Sequence, residues 1–364
     1  MKIHEITKYL ESLAPLSTQE SYDNCGLILG DLNADVDEVL ISLDCTEEIV
    51  DEAIEKGISL IISHHPIVFK GLKKLNGSNY IERTIIKAIK NDIAIYALHT
   101  NFDNYLGGVN LEIGERIGLN DLKILLPKSQ TLKKISCYVP VESVSDVKNS
   151  LFASGAGELG EYSNCSFVSE GVGGFLPSNN SNPAKGIKNE LFESSELKLE
   201  VIVSADKVNK AVAEMIQAHP YEEPAYEVYT LDNTNNYLGS GMVGVLQQEM
   251  SELDFLAHIK EVFECGVIRH TKLLNRKIKK VAFCGGAGGF LLNRAKSVDA
   301  DIFITGDYKY HEFFDSENQI VIADIGHFES EQFTSKRIGA VLMKKFPNFA
   351  IHLTEVNTNP INYF

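Results

Sequence analysis

Positive charge is scarce in this sequence, with 34 lysines and arginines against 50 aspartates and glutamates and a formal net charge of −16 at pH 7. That deficit argues against a nucleic-acid-binding face over much of the surface, since phosphate neutralisation needs Lys and Arg in excess. Cysteine is sparse and scattered. Cys25, Cys45, Cys137, Cys165, Cys265 and Cys284 form no Cys-x-x-Cys pair, so a zinc-thiolate or redox motif has no support. A chain of this length can build a core without a disulfide framework. Long apolar runs are also missing. No stretch approaches the ~20 residues of a membrane helix, and Glu5 and Glu11 stand where a signal peptide would have its apolar core. The expected location is the cytoplasm.

What is present is an ordinary globular composition, 44% hydrophobic and 23% charged over 364 residues. Single cores rarely grow beyond ~250 to 300 residues, so two or three domains are expected.

Strand and helix patterns alternate at the start of the chain. Ile3, Ile6, Leu10 and Leu13 repeat at helical spacing. Residues 39–44 read as a strand ending at Asp44, then a helix over 47–56 with Thr46 as its cap and Gly57 as its stop. The run ISLIISHHP follows, an apolar strand that ends abruptly in His64 and His65. A helix over 80–91 and a strand over 93–98 lead to His99 and Asp103, and a helix over 109–117 closes the unit. This β-α-β-α-β order predicts parallel strands, and polar residues gather at the strand ends, where ligands bind in open α/β sheets. Pro66 favours extended geometry at His65, so the two rings are expected to diverge.

From about residue 135 to 231 the texture changes to two β-α-β units, the pattern of a ferredoxin-like split β-α-β fold. The last third returns to alternating α/β. A strand at 281–284 leads into GGAGG (Gly285 to Gly289), strands follow at 301–305 and 319–324, and one long helix is expected over 327–345. Two similar halves around a different fold suggest one discontinuous α/β domain carrying an α+β insert.

His327 and Glu331 are four residues apart at a helix start, so imidazole and carboxylate share a face. With His64, His65 and Asp103 they make three imidazoles and two carboxylates. A mononuclear zinc site takes three or four ligands; five, with a carboxylate free to bridge, suit two ions ~3.5 to 4 Å apart.

SHHPIVFKG, HTNFD, GDYKYHE and DIGHFESE closely resemble the metal-binding motifs of the Nif-three-like proteins, the GTP cyclohydrolase I type 2 homologs of bacteria. GELGEYSNCSF and HPYEEPAYEV resemble the PII/CutA-like insert of the longer members. The resemblance implies a metal-binding α/β domain over 1–125 and 236–364 and an inserted ferredoxin-like, PII/CutA-like domain over 126–235. It also implies a toroidal homohexamer and a dinuclear site held by His64, His65, Asp103, His327 and Glu331, with Glu331 as bridge. Tyr22 stands where members often have Trp, outside the ligand set. Two divalent ions per chain are expected, zinc first, with iron, manganese or nickel as alternatives that imidazole and carboxylate also suit.

Paired ions acidify water and polarise a substrate, so hydrolysis of a nucleotide or similar anionic small molecule is the expected chemistry, narrowed by the resemblance to GTP. The alternative is a metal-binding regulatory protein without turnover, whose insert senses an effector or partner. No membrane and no nucleic-acid partner are expected. His99, Asp307 and His311 are candidates for orienting ligands or moving protons. GGAGG lies between strand and helix, where backbone N–H groups can hold a phosphate or simply turn. Gly239, Gly241 and Gly244 have G-x-G-x-x-G spacing, but apolar residues run on past the last glycine, against a dinucleotide loop. His219-Pro220 reads as structural.

Overall fold

The computed structural model describes all 364 residues, which fold as two compact units. One comprises Met1–Pro127 with Asn236–Phe364, the other Lys128–Asn235.

The first unit contains two sheets. Five strands run in the order Gly26–Leu29, Ala94–Ala97, Leu60–Ser63, Glu38–Ser42, Ala350–Leu353. All neighbours are parallel except the antiparallel edge pair of Gly26–Leu29 with Ala94–Ala97. The last strand of the chain thus joins a sheet begun by the first hundred residues. Parallel strands covered on both faces need apolar side chains throughout, and Leu60, Ile61 and Ile62 are fully buried. The six-stranded sheet has the order Arg269–His270, Val321–Asp324, Ile302–Thr305, Lys277–Phe283, Asn235–Ser251, Leu119–Lys128. Lys277–Phe283, Ile302–Thr305 and Val321–Asp324 are mutually parallel. One apolar core joins the sheets, with Ile62, Tyr96 and Phe102 packed in the same cluster as Phe255, Phe283 and Ile304. The two halves therefore fold as one body.

Local details depart from expectation in three places. Gly57 closes helix Glu47–Lys56 in a left-handed turn (φ 70°), but Thr46 caps it by position only, its hydroxyl making no capping bond. The strand before His64 begins at Leu60. The long helix expected after residue 327 is two helices, His327–Glu331 and Thr334–Lys345. Phe333, at the break, is buried in the core with the Arg116 guanidinium 3.5 Å above its ring.

The second unit is a four-stranded antiparallel sheet in the order Phe167–Phe175, Phe192–Ser204, Leu132–Pro140, Tyr226–Leu231. Helices Val144–Ala153 and Val208–Ala218 supply Val147, Leu151, Ala211 and Met215 to a core with Ile135, Cys137, Leu199 and Val201. All six cysteines are free, and no helix is long and apolar enough to cross a membrane.

Candidate metal centre

His64 and His65 follow directly from strand Leu60–Ser63. Their N–H groups extend its ladder, donating to Ser42 O at 3.1 Å and Leu43 O at 2.8 Å, which fixes the backbone under both rings. The rings do not diverge as expected. They lie past the strand end with centroids 4.9 Å apart and planes at 46°, and both present Nε2 to Glu331. Asp103 arrives on the short helix Thr100–Asn104 after the neighbouring strand, and His327 and Glu331 on the helix after Val321–Asp324. Each group sits beyond the carboxyl end of a parallel strand.

The distances are short. Glu331 Oε2 is 3.0 Å from His65 Nε2, 3.0 Å from His327 Nε2 and 3.8 Å from His64 Nε2. The Nε2 atoms of His65 and His327 are 3.3 Å apart, and Asp103 Oδ1 is 3.5 Å from His64 Nε2. Three groups of possible ligands result: His65–His327–Glu331 and His64–Asp103–Glu331, which share the 3% exposed Glu331, and His64–His65–His99.

The chemistry of these donors follows from what holds the opposite ring nitrogens. His64 Nδ1 lies 2.8 Å from Leu98 O, a carbonyl that can only accept, so Nδ1 carries the proton and Nε2 a bare lone pair. Asp44 Oδ1 does the same at 2.7 Å for His65 Nδ1, as does Asp307 Oδ2 at 2.7 Å for His327 Nδ1. In their neutral form the three imidazoles therefore turn Nε2 lone pairs towards a shared carboxylate oxygen. His64 Nε2 and Asp103 Oδ1 are both buried without a hydrogen bond. Two buried acceptors facing each other are costly unless a cation lies between them, and imidazoles oriented through their far nitrogen are the usual arrangement of metal ligands. The residues present fit divalent ions.

Without an ion the same acceptors draw protons. Burial opposes charge on His65, but Asp44 and Glu331 lift it to about 9. For His327 burial is likewise outweighed, by Glu331 and Asp307, and its pKa rises to about 11. Burial dominates at His64, which falls to about 3. Asp103 is held well above the usual carboxylate range by burial and the charge of Glu331.

Asp307 thus orients His327, and His99 holds Asp23 through Nδ1 at 2.8 Å while its ring sits 5.2 and 5.3 Å from those of His64 and His65. His311 does not join them; its ring lies against Tyr310 and Phe314. His219 is tied to Tyr138 O and the Tyr221 N–H within the second unit. Gly239, Gly241 and Gly244 lie inside strand Asn235–Ser251.

Other contributors were not singled out in the sequence. Thr358, near the chain end, donates through Oγ1 to Asp44 Oδ2 at 2.6 Å. Gly286, inside GGAGG, has φ 59°, and a Cβ there would lie 2.5 Å from Glu331 Oε1. This loop lets the shared Glu331 carboxylate come close to backbone. Only its spacing between strand and helix signalled it. Around the cluster lies a cavity of about 570 Å3, lined also by Tyr22, Phe69, Phe290 and Cys284.

The Duf34/NIF3 (NGG1p interacting factor 3) family profile matches residues 1–360. The chain belongs to the Duf34/NIF3 family. A relative in Halalkalibacterium halodurans named GTP cyclohydrolase 1 type 2 homolog is 37% identical over 363 residues, covering 98% of each chain. A Bacillus subtilis protein of the same name is 36% identical over 365 residues, covering 99% of this chain and 98% of its own. Among solved structures, a Bacillus cereus protein related to NIF3 superposes with TM-score 0.86 at 38% identity, covering 100% of this chain and 99% of that one. Family membership thus spans both outer segments and the intervening unit.

Proposed function

We propose that the chain is a dinuclear metal-binding protein and a metal-dependent hydrolase acting on a nucleotide or similar small anionic substrate. The observation that carries this reading is the convergence of three imidazole Nε2 atoms on Glu331 Oε2, with Asp103 facing His64 at 3.5 Å. His64, Asp103 and Glu331 would hold one ion, and His65, His327 and Glu331 the second. Divalent ions there supply charge for an anionic group and acidify water for hydrolysis. Zinc is the first ion to test.

The chain's own residues do the rest. Asp44 and Asp307 keep the Nδ1 protons of His65 and His327 in place, so the Nε2 atoms stay free to ligate. His99, anchored on Asp23 and lining the cavity, is placed to accept a proton from substrate or water. Burial and the Asp103 and Glu331 charges push the Cys284 thiol up, so it stays protonated and is no nucleophile. No lysine or arginine lines the cavity, so cationic charge for an anionic substrate group would have to come from bound ions. Tyr22, Phe69 and Phe290, 69%, 47% and 67% exposed, offer ring faces to a planar base.

The relatives' name makes GTP the first substrate to assay, with formate as the product followed. Metal-dependent formate release that disappears in Glu331→Ala supports the reading; activity unchanged in that variant overturns it. A ring of six chains is proposed on the family resemblance, and a native mass of six times 40.3 kDa is its measure.

The second reading, a metal-binding regulator without turnover, is favoured by the character of the unit Lys128–Asn235. Its strand order supports a ferredoxin-like, PII/CutA-like insert, and it has a cavity of its own. Absence of metal-dependent turnover across nucleotides, phosphoesters and amides is the outcome that selects it.

A further inference from the structure

The unit Lys128–Asn235 carries an open pocket of about 590 Å3 that the metal reading leaves unused. Leu199, Val201 and Val203 of strand Phe192–Ser204 point into the helix-facing core. Side chains of opposite parity, including Glu196, stand on the other face of the sheet. The turn after helix Val208–Ala218 and the loop 177–184 wall that face in.

Glu196 sets the character of this space. It is only 7% exposed, yet it pairs with no lysine or arginine. Tyr221 donates its hydroxyl to Oε1 at 2.7 Å, while Oε2 accepts no hydrogen bond. Gly173 is what leaves that oxygen open, because a Cβ there would sit 2.0 Å from it. Aromatic rings complete the walls: Tyr138, Phe175 and Tyr221, the last two with centroids 5.7 Å apart at 63°. Glu222 and Glu223 add two carboxylates to the lining, and no cationic side chain contributes. The neighbouring Lys185 and Lys198 are already paired with Glu142 and Glu200.

A carboxylate set into the pocket wall without a counter-charge offers a cation an unmatched negative charge, and aromatic faces beside it attract a cation as well. Three carboxylates exclude an anion. A bare divalent ion wants six or more oxygens, and much of this wall is carbon. We propose that the cavity binds a small organic cation, an ammonium or guanidinium group on a short chain, with Glu196 as its counter-ion. The site is separate from the metal ligands, so each assignment fails or stands without the other.

The test is calorimetric titration of the full chain with agmatine, with neutral 1-butanol and calcium chloride as comparison probes. Agmatine should bind once per chain and more tightly than either. Glu196→Gln should weaken it about tenfold or more, the scale of losing a charge-assisted contact in an aromatic setting. Gly173→Ala, which keeps every charge but covers Oε2, should do the same and carries the test if Glu196→Gln unfolds. Glu158→Gln, exposed and outside the cavity, should leave agmatine affinity unchanged, and metal content should be unaltered in all three variants. Agmatine binding no tighter than butanol, parent-like affinity in both Glu196→Gln and Gly173→Ala, or calcium binding tighter than agmatine and lost in Glu196→Gln each overturns the proposal.

Discussion

Thr358 Oγ1 donates to Asp44 Oδ2 at 2.6 Å, and Asp44 Oδ1 in turn holds His65 Nδ1 at 2.7 Å, so the segment after strand Ala350–Leu353 is linked to the His65 imidazole through one carboxylate. Removing a group that orients a ligand typically costs about 10–100-fold in metal affinity, and Asp44→Ala should fall in that range. Thr358→Val acts one bond further out and should cost less, within about tenfold. Competition against a calibrated chelator measures both. Unchanged affinity in Asp44→Ala would mean that His65 does not ligate.

Asp103 yields a prediction of opposite signs. Its Oδ1 faces the bare His64 Nε2 with no donor between them. Asparagine can turn its amide N–H to that nitrogen, so Asp103→Asn should stabilise the metal-free chain while weakening ion binding. The gain is about 1–3 kcal/mol, the penalty of a buried unsatisfied polar group. Its pH dependence follows from the raised Asp103 pKa. A carboxyl whose folded pKa exceeds its unfolded value loses stability as pH rises from the unfolded value through the folded one. The variant should therefore gain more over the parent at pH 8 than at pH 4. Thermal unfolding in chelator reads this; a metal-free variant less stable than the parent at pH 8 contradicts it.

Protons and ions compete for the same nitrogens. His65 and His327, raised to about 9 and about 11, are protonated in the metal-free chain at neutral pH and must release those protons to ligate. Apparent affinity should rise with pH through 7 and 8, levelling only above those values. The folding contribution of the same pair in the metal-free chain has the reverse trend, full below the ordinary histidine pKa and lost as pH rises through about 9 and then about 11. Titrations in buffers of different ionisation enthalpy count the protons. Zero release at pH 7.5, with affinity flat from pH 6.5 to 8.5, rules the competition out.

How much of this was legible in the sequence depends on the range over which each signal acts. The apolar run ending in His64-His65 and the i, i+4 pair His327 and Glu331 are local patterns, and the structure brings those four side chains and Asp103 together. Ring direction at His64 and His65 was misread because Pro66 restrains only the backbone, while the rings are turned by Leu98 O and Asp44. Thr358 and Asp44 are 314 residues apart, a contact that composition and periodicity do not encode. The break at Phe333 has no local signal of the same kind, and the Arg116 guanidinium over its ring comes from a helix far away in sequence.

Gly286 was legible as a turn and not as part of the metal centre. Its φ of 59° is one that L side chains adopt reluctantly, and its missing Cβ leaves room for Glu331 Oε1 at 2.5 Å and His327 Cε1 at 3.1 Å. Gly286→Ala adds a left-handed backbone cost of about 1–2 kcal/mol, tolerable for a domain of this size. It also pushes against the shared carboxylate and one imidazole at once. The fold should survive with a modest loss of melting temperature, while metal content falls below half of the parent's. Gly118→Ala is the matched comparison, because its φ of 81° carries a similar backbone penalty with nothing within 4 Å of the new Cβ. Elemental analysis and thermal unfolding of both variants separate the two effects. Equal metal content in Gly286→Ala and Gly118→Ala would show that the glycine serves the turn alone.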